Sequence, residues 1–347
     1  MTCVVTPSST TARRPLAVTL GEPGGIGPEI TLKAWAARRA ENLPPFFVVA
    51  PPEILRRTAQ SLRLDLPFRV IAAADEALDA FDSALPVLPI EGVADFVPGA
   101  PAAATGQTVI QSITIAVQLA RSGEAAAVVT NPIQKSALYD AGFRHPGHTE
   151  FLAALCAEGG VTPTPVMMLA IEGLRVVPAT VHVPLAKVPA LVTADLILEL
   201  GRITSAALTR DFGVAAPRLA VAGLNPHAGE DGRMGEEERR IIAPAIERLR
   251  EAGIDARGPY PADTMFHAAA RAGYDAALCM YHDQALIPLK TLDFDRGVNV
   301  TLGLPIVRSS PDHGTATDIA GRGIARPHSL IAAIRMAAEI AANRARA

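Results

Sequence analysis

The chain has 347 residues, 49% of them apolar, with 32 basic against 35 acidic side chains and a net charge of −3. That length fills a large core and predicts two domains, or one large α/β unit with a cleft. The near balance of charge argues against a nucleic-acid or membrane-surface footprint, and no apolar run approaches the roughly 18 residues that span a bilayer.

The first segment, MTCVVTPSSTTARRP, places its arginines after the apolar patch, the reverse of a signal peptide. Residues 1–14 are therefore expected to form a disordered tail. LAVTL (16–20) predicts a strand, followed by a Gly-rich turn and a helix starting near Pro28. FFVVA (46–50), FRVIA (68–72) and AAVVT (126–130) are further short β-rich runs, and 108–123 has helical spacing ending at Gly123. VMMLAI-EG-LRVVPATVHV (166–183) reads as a hairpin. Long helices are expected over 187–211, 236–252 and 329–345. RLAVAG (218–223) and AALCMYH (276–282) are buried strands, and 297–310 holds one or two more. This alternation predicts an α/β fold with a mixed sheet.

Polar residues collect where the buried strands stop. AAVVT leads through Asn131-Pro132 to His145 and His148, VVPATV to His182, LAVAGLN to His227, and AALCMY to His282 and Asp283. The carboxyl ends of strands are where chemistry sits in an open α/β sheet. A single strand-end histidine is usually structural. Several converging on one cleft suit a divalent metal, since three imidazoles leave positions open for substrate. Cysteines contribute nothing comparable: Cys3, Cys156 and Cys279 are far apart without C-x-x-C spacing, which suits a reducing cytoplasm.

Lys290, Arg296 and Arg308 lie near Asn299 in an apolar stretch. Such cations need an anion, either Asp293 or Asp295 as an internal ion pair or a small anionic substrate. Two Gly-rich loops stand out. GEPGGIGPE (21–29) joins a strand to a helix, but its flanking glutamates disfavour direct contact with a phosphate. DHGTATDIAGRG (312–323) is long and polar enough to wrap a ligand. No G-x-S-x-G elbow, Walker loop or H-E-x-x-H helix is present, which removes weight from serine hydrolysis, P-loop phosphoryl transfer and zincin proteolysis.

The stretches LGEPGGIGPEI, TNPIQKSALYDAGFRHPGHTEFLA, ATVHVPL, GLNPHAGEDGRMGEEE, GPYPADTMF, YHDQALIPLK and NVTLGLPIVRSSPDHGTATDIAGRG together resemble the 4-hydroxythreonine-4-phosphate dehydrogenase family of pyridoxal phosphate biosynthesis. They run from residue 20 to 323. The last loop is also similar to the cofactor loop of isopropylmalate and isocitrate dehydrogenases. The resemblance implies a three-layer α/β/α fold of two domains with a cleft between them. The expected division is 15–140 plus 310–347, carrying the cofactor loop, and 141–309, carrying the metal and substrate residues and the dimer contacts.

The resemblance also implies the roles. His182, His227 and His282 would hold one divalent metal, zinc, magnesium or cobalt. His148, Thr149, Lys290, Asn299 and Arg308 would bind a small phosphorylated hydroxy-amino acid, and Lys290 and Asp263 would serve the chemistry, Asp263 by handling a proton. The 312–323 loop, with His313, Gly314, Thr315 and Asp318, would hold NAD or NADP. The Arg326-Pro327 pair does not decide between them. A cytoplasmic homodimer with active sites shared between subunits is implied, His182 and His227 coming from one chain and His282 from the other. Ala285 departs from the family, which more often has glycine there. Relatives acting on phosphorylated sugar acids or a dihydrodiol dicarboxylate would use the same centre. A metal-dependent hydrolase and a non-catalytic binding protein are the rival classes.

Overall fold

The computed structural model describes residues 14–92, 95–145 and 147–346, so the expected tail lies outside the described residues but for Arg14. The first half runs β1 (Leu16–Thr19), α1 (Gly27–Ala36), β2 (Phe46–Ala50), α2 (Pro52–Ser61), β3 (Phe68–Val70), α3 (Glu76–Ala80), β4 (Leu85–Pro89), α4 (Ala103–Ser122), β5 (Val128–Val129), α5 (Lys135–Asp140) and α6 (His148–Leu155). The second runs β6 (Val166–Ile171), β7 (Leu174–Thr180), α7 (Val188–Leu191), α8 (Ala194–Arg210), β8 (Arg218–Ala222), α9 (Ala243–Glu251), β9 (Asp255–Tyr260), α10 (Ala268–Arg271), β10 (Ala276–Tyr281), α11 (His282–Leu292), β11 (Val298–Leu302), β12 (Arg308–Pro311) and α12 (His328–Arg344).

Among the described residues twelve strands form one sheet, ordered β3-β4-β2-β1-β5-β12-β11-β6-β7-β10-β8-β9. Pairing is parallel except around β11, which is antiparallel to β12 and β6, and within the β6–β7 hairpin. That hairpin is the expected one: Gly173 takes φ +75° in the turn, a value glycine accepts without strain. Because successive strand residues point to opposite faces, both faces of the sheet are apolar and both are covered. Leu16, Val18, Phe46 and Val48 belong to one continuous apolar cluster that runs beneath α1, α2, α8, α9 and α12. Ala17, Phe47 and Val49 pack with α3 to α6, and Val176, Ala220 and Ala277 pack with α11. These are the three α/β/α layers. Ala285 is fully buried on α11, so its methyl group fills core rather than meeting the cleft.

The sheet continues without a break through both expected units, and the 309/310 division falls inside β12. The expected 187–211 helix is instead α7 followed by α8. Pro189 suits the first turn of α7, and the Thr193 side chain caps α8 by accepting from the Leu196 N–H at 3.1 Å. The 236–252 helix starts with a π turn at Glu238–Ile242 before α9. β7, β10 and β8 are neighbours and parallel, so their carboxyl ends lie side by side.

Candidate active site

A cavity of about 810 Å³ opens at the carboxyl ends of β5, β7, β10 and β12. His182, two residues past the end of β7, and His282, the first residue of α11, both line it. Their ring centroids are 5.7 Å apart, tilted at 42°. His182 takes φ +53°, a left-handed value that costs a residue with a Cβ about 1–2 kcal/mol. Strain of this kind persists where the surroundings require it, often at functional sites. Burial, with Lys135 and His282 close by, lowers the His182 pKa, which favours the neutral imidazole that metals bind. The His282 Nδ1 lies 2.7 Å from Asp283 Oδ1, which orients the ring and commits that nitrogen.

His227 is placed elsewhere. It starts a turn in which His227, Ala228, Glu230 and Asp231 all have positive φ, between 44° and 55°, and it does not line the cavity. Asp263 is exposed on the short turn 262–264, which packs against the His227 turn. The predicted residues thus form two groups in one chain, one around the cavity and one, with His227 and Asp263, outside it. No cluster of three or more metal-binding side chains exists among the described residues.

Glu238, in the π turn, fixes the His227 segment. Its Oε1 accepts the Leu224 and Asn225 N–H groups at 2.8 and 2.7 Å, and Oε2 accepts from Asn225 Nδ2 at 3.0 Å. Glu238 is 5% exposed. Glu238→Ala leaves the Leu224 and Asn225 main-chain N–H groups unpaired, at a cost of about 1–3 kcal/mol. The expected result is a lower Tm and faster proteolysis within 226–232, with Glu238→Gln in between. Unchanged melting and digestion would remove the clamp.

Arg308 is 4% exposed. Its Nε and Nη2 donate to Thr130 Oγ1 at 3.1 and 2.7 Å, and Nη1 donates to Thr301 Oγ1 at 2.9 Å. Burial pushes the guanidinium pKa down to about 10, still charged at neutral pH. Hydroxyls orient this cation without neutralising it. Of the internal pairs considered for the cationic stretch, Arg296 takes Asp293 at 2.7 Å, while Asp295 holds Arg326 at 2.8 Å. Lys290 pairs instead with Asp312, Nζ to Oδ2 at 3.0 Å. Burial raises the Asp312 carboxyl above its ordinary range, with Lys290 opposing that shift.

His148 and Asn299 also line the cavity, whereas half-buried Thr149 opens α6 beside His148. Burial, then the charges of Arg308 and Lys135, holds His148 well below its ordinary pKa, and its Nε2 is buried without a partner. His145 has the bland role, stacked against Phe143 and Phe151 at 5.3 and 5.1 Å.

The cofactor-loop residues divide as well. His313 and Gly314 line the cavity, Thr315 donates to Gln134 Oε1 at 3.0 Å, and Asp318 is exposed. GEPGGIGPE supports this loop: the Ile26 N–H donates to the Thr315 carbonyl at 2.9 Å. A Cβ on Gly25 would stand 2.9 Å from that oxygen, so the approach needs glycine. Both loop glutamates are turned to internal bonds, Glu22 to the Gly24 N–H and Glu29 to Lys33 and the Ala325 N–H. Besides Glu22 Oε2 and Glu29 Oε2, two buried acceptors that face the cleft region are left without a partner here. Asn131 donates through Nδ2 to the Thr19 carbonyl at 2.8 Å, which fixes its amide orientation and leaves Oδ1 unpaired. His313 Nδ1 faces the Gly314 carbonyl at 3.0 Å, which leaves Nε2 unpaired.

Sequence reasoning did not single out Thr130, Asn131, Asp312 or Glu238 as site residues. Asn131-Pro132 at a strand end was a usable signal. The Asp312 contact spans 22 residues and carries none.

The sequence model of the family described as pyridoxal phosphate biosynthetic protein PdxA matches residues 42–337. A 4-hydroxythreonine-4-phosphate dehydrogenase of Methylorubrum populi is 58% identical over 331 residues, 94% of this chain and 95% of the relative. One from Bradyrhizobium diazoefficiens is 55% identical over 338 residues, 95% of this chain and 98% of its own. The crystal structure of 4-hydroxythreonine-4-phosphate dehydrogenase from Klebsiella pneumoniae superposes with a TM-score of 0.85 at 39% identity, covering 94% of this chain and 99% of that one. A terephthalate 1,2-cis-dihydrodiol dehydrogenase from Burkholderia xenovorans has a TM-score of 0.63 at 30% identity, covering 94% and 98%.

Proposed function

The chain belongs to the pyridoxal phosphate biosynthetic protein PdxA family and is a dehydrogenase acting on a CH–OH group, and from that premise we propose that it oxidises 4-phosphooxy-L-threonine at its secondary hydroxyl with NAD or NADP. The β-keto acid formed loses carbon dioxide to leave 3-amino-2-oxopropyl phosphate. The observation that carries the reading is Arg308, a buried cation without a carboxylate, facing the same cavity as the His182–His282 pair and the 312–323 loop.

The residues around the cavity supply part of the donor set this reaction needs. His182 and His282 are two neutral-favoured or oriented imidazoles directed at one space, and the orphaned Asn131 Oδ1 and His313 Nε2 fit hydrogen-bond donors of a nicotinamide. When bound, a divalent cation supplies Lewis-acid stabilisation of the developing alkoxide, and the nicotinamide supplies the hydride acceptor. The chain's own residues do the rest. Arg308, with His148 beside it, grips an anionic end of the substrate, and Lys290 and Asn299 fix its approach. These contacts turn remote binding energy into alignment of the reacting carbon. Asp263 keeps its proposed role in proton handling only where a second copy brings it to the cavity, together with His227.

A substrate panel with NAD and NADP, read by reduced-nicotinamide absorbance, tests the reading. A dihydrodiol dicarboxylate belongs in it because of the 30% identical relative. Hydrolysis without nicotinamide would replace the reading with a hydrolase. Chelation should abolish turnover and leave circular dichroism unchanged, since an α/β core of this size does not depend on a metal to fold as a zinc finger does. Full activity in verified metal-free protein would sink the metal assignment.

A further inference from the structure

We propose that Asp312 is a positioning residue that holds the Lys290 ammonium in the cleft and couples it to the cofactor loop. Two of the three ammonium donors are directed at Asp312: the side chain lies 3.0 Å from Oδ2, and Nζ donates to the main-chain carbonyl at 3.2 Å. One donor remains for the cavity, which Lys290 lines. On its other side the ammonium lies 5.4 Å from the Phe294 ring centroid, within cation–π range.

Asp312 is itself anchored. Its N–H donates to Ser329 Oγ at 3.0 Å and to the Gly297 carbonyl at 3.3 Å, and the Ser329 hydroxyl donates to that same carbonyl at 2.6 Å. A Cβ on Gly297 would stand 3.2 Å from both Cβ and Oδ2 of Asp312, so glycine keeps the carboxylate where it is. The remaining titratable groups around Asp312 are His313 and His282. The nearer acids of the same segment, Asp293 and Asp295, are engaged by Arg296 and Arg326. Asp312 is also the first residue of the 312–323 loop, so any displacement of that loop by a cofactor displaces the group that aims Lys290. Substrate grip and cofactor binding then share one hinge point.

The role given to Lys290 rests on the dehydrogenase reading, but the contact can be tested without turnover. In the purified protein, acylation of Lys290 by an amine-reactive ester is followed by peptide mass spectrometry across pH, for wild type, Asp312→Asn and Asp312→Glu. Loss of the facing carboxylate should free the ammonium and raise the rate of Lys290 labelling at a fixed pH by about threefold or more, and Asp312→Glu should restore the wild-type rate. In parallel, substrate KM should rise by about tenfold or more in Asp312→Asn, with kcat less affected. NAD or NADP should alter Lys290 labelling in the wild type and not in Asp312→Asn. If circular dichroism shows that Asp312→Asn does not fold, Ser329→Ala, which frees the Asp312 N–H, should move the labelling the same way by less. Identical Lys290 labelling in wild type and these variants overturns the proposal. A wild-type protein that oxidises no substrate overturns the functional reading and leaves the labelling result standing.

Discussion

Replacing Arg308 with methionine is expected to lower kcat/KM by about 30- to several-thousand-fold, the effect of removing about 2–5 kcal/mol of charge-assisted anchoring. A buried ion pair broken from one side normally destabilises a protein, because the partner charge is left behind. Arg308 has no partner charge: Thr130 and Thr301 offer only hydroxyl oxygens. Its removal relieves an uncompensated buried cation, so the Tm should hold or rise while activity falls. Inorganic phosphate should raise the wild-type Tm through binding to the folded state and leave that of Arg308→Met unmoved. Arg308→Lys keeps the charge but loses the fork that engages Thr130 through two nitrogens, and should fall between the two. A lower Tm with unchanged kinetics would make Arg308 a structural residue and move the anion clamp elsewhere.

Why this residue was legible while its surroundings were not follows from the range of the interactions. A cation within an apolar run needs explanation from the sequence alone, and β12 turned out to be fully buried. The partners that would decide between an ion pair and a substrate clamp lie far away, Thr130 at a separation of 178 residues. Local acids were therefore the natural candidates, and the structure gives them to Arg296 and Arg326 rather than to Arg308. The buried strands were legible for the same local reason: β1, β2, β8 and β10 are short apolar runs whichever neighbours they pair with. β9, DARGPY, is an edge strand with exposed positions and a proline, and β4 carries prolines at both ends of its apolar stretch, so neither shows the pattern of a central strand. The strand-end rule placed His182 and His282 correctly in one cleft because it depends only on parallel neighbours. It did not anticipate the left-handed run 227–231 after Pro226, five residues of which only Gly229 carries a backbone signature for it, and His227 falls outside the cavity.

That run also decides how the histidines should divide between two copies of the chain. The expectation from resemblance pairs His182 with His227 and takes His282 from the partner. The geometry instead sets His182 beside His282 in one chain, and leaves His227 with Asp263 on an outer surface. If sites are shared in a homodimer, the geometry favours His182 and His282 from one subunit and His227 from the other. Two mixtures separate these arrangements. Each of His182→Ala, His227→Ala and His282→Ala should be inactive alone. Under the geometric division, His182→Ala mixed with His227→Ala gives mixed dimers in which one site carries both lesions and the other carries none. Random exchange makes about half the dimers mixed, so about a quarter of wild-type activity should return. His182→Ala mixed with His282→Ala should return nothing, because both lesions sit on the same contribution and every site retains one. The division expected from resemblance gives the opposite pattern. Sites built within a single chain give no recovery in either mixture, provided native mass spectrometry confirms that subunits exchanged. Recovery only in the His182–His282 mixture would therefore refute the pairing seen in the cavity while leaving all three histidines as ligands.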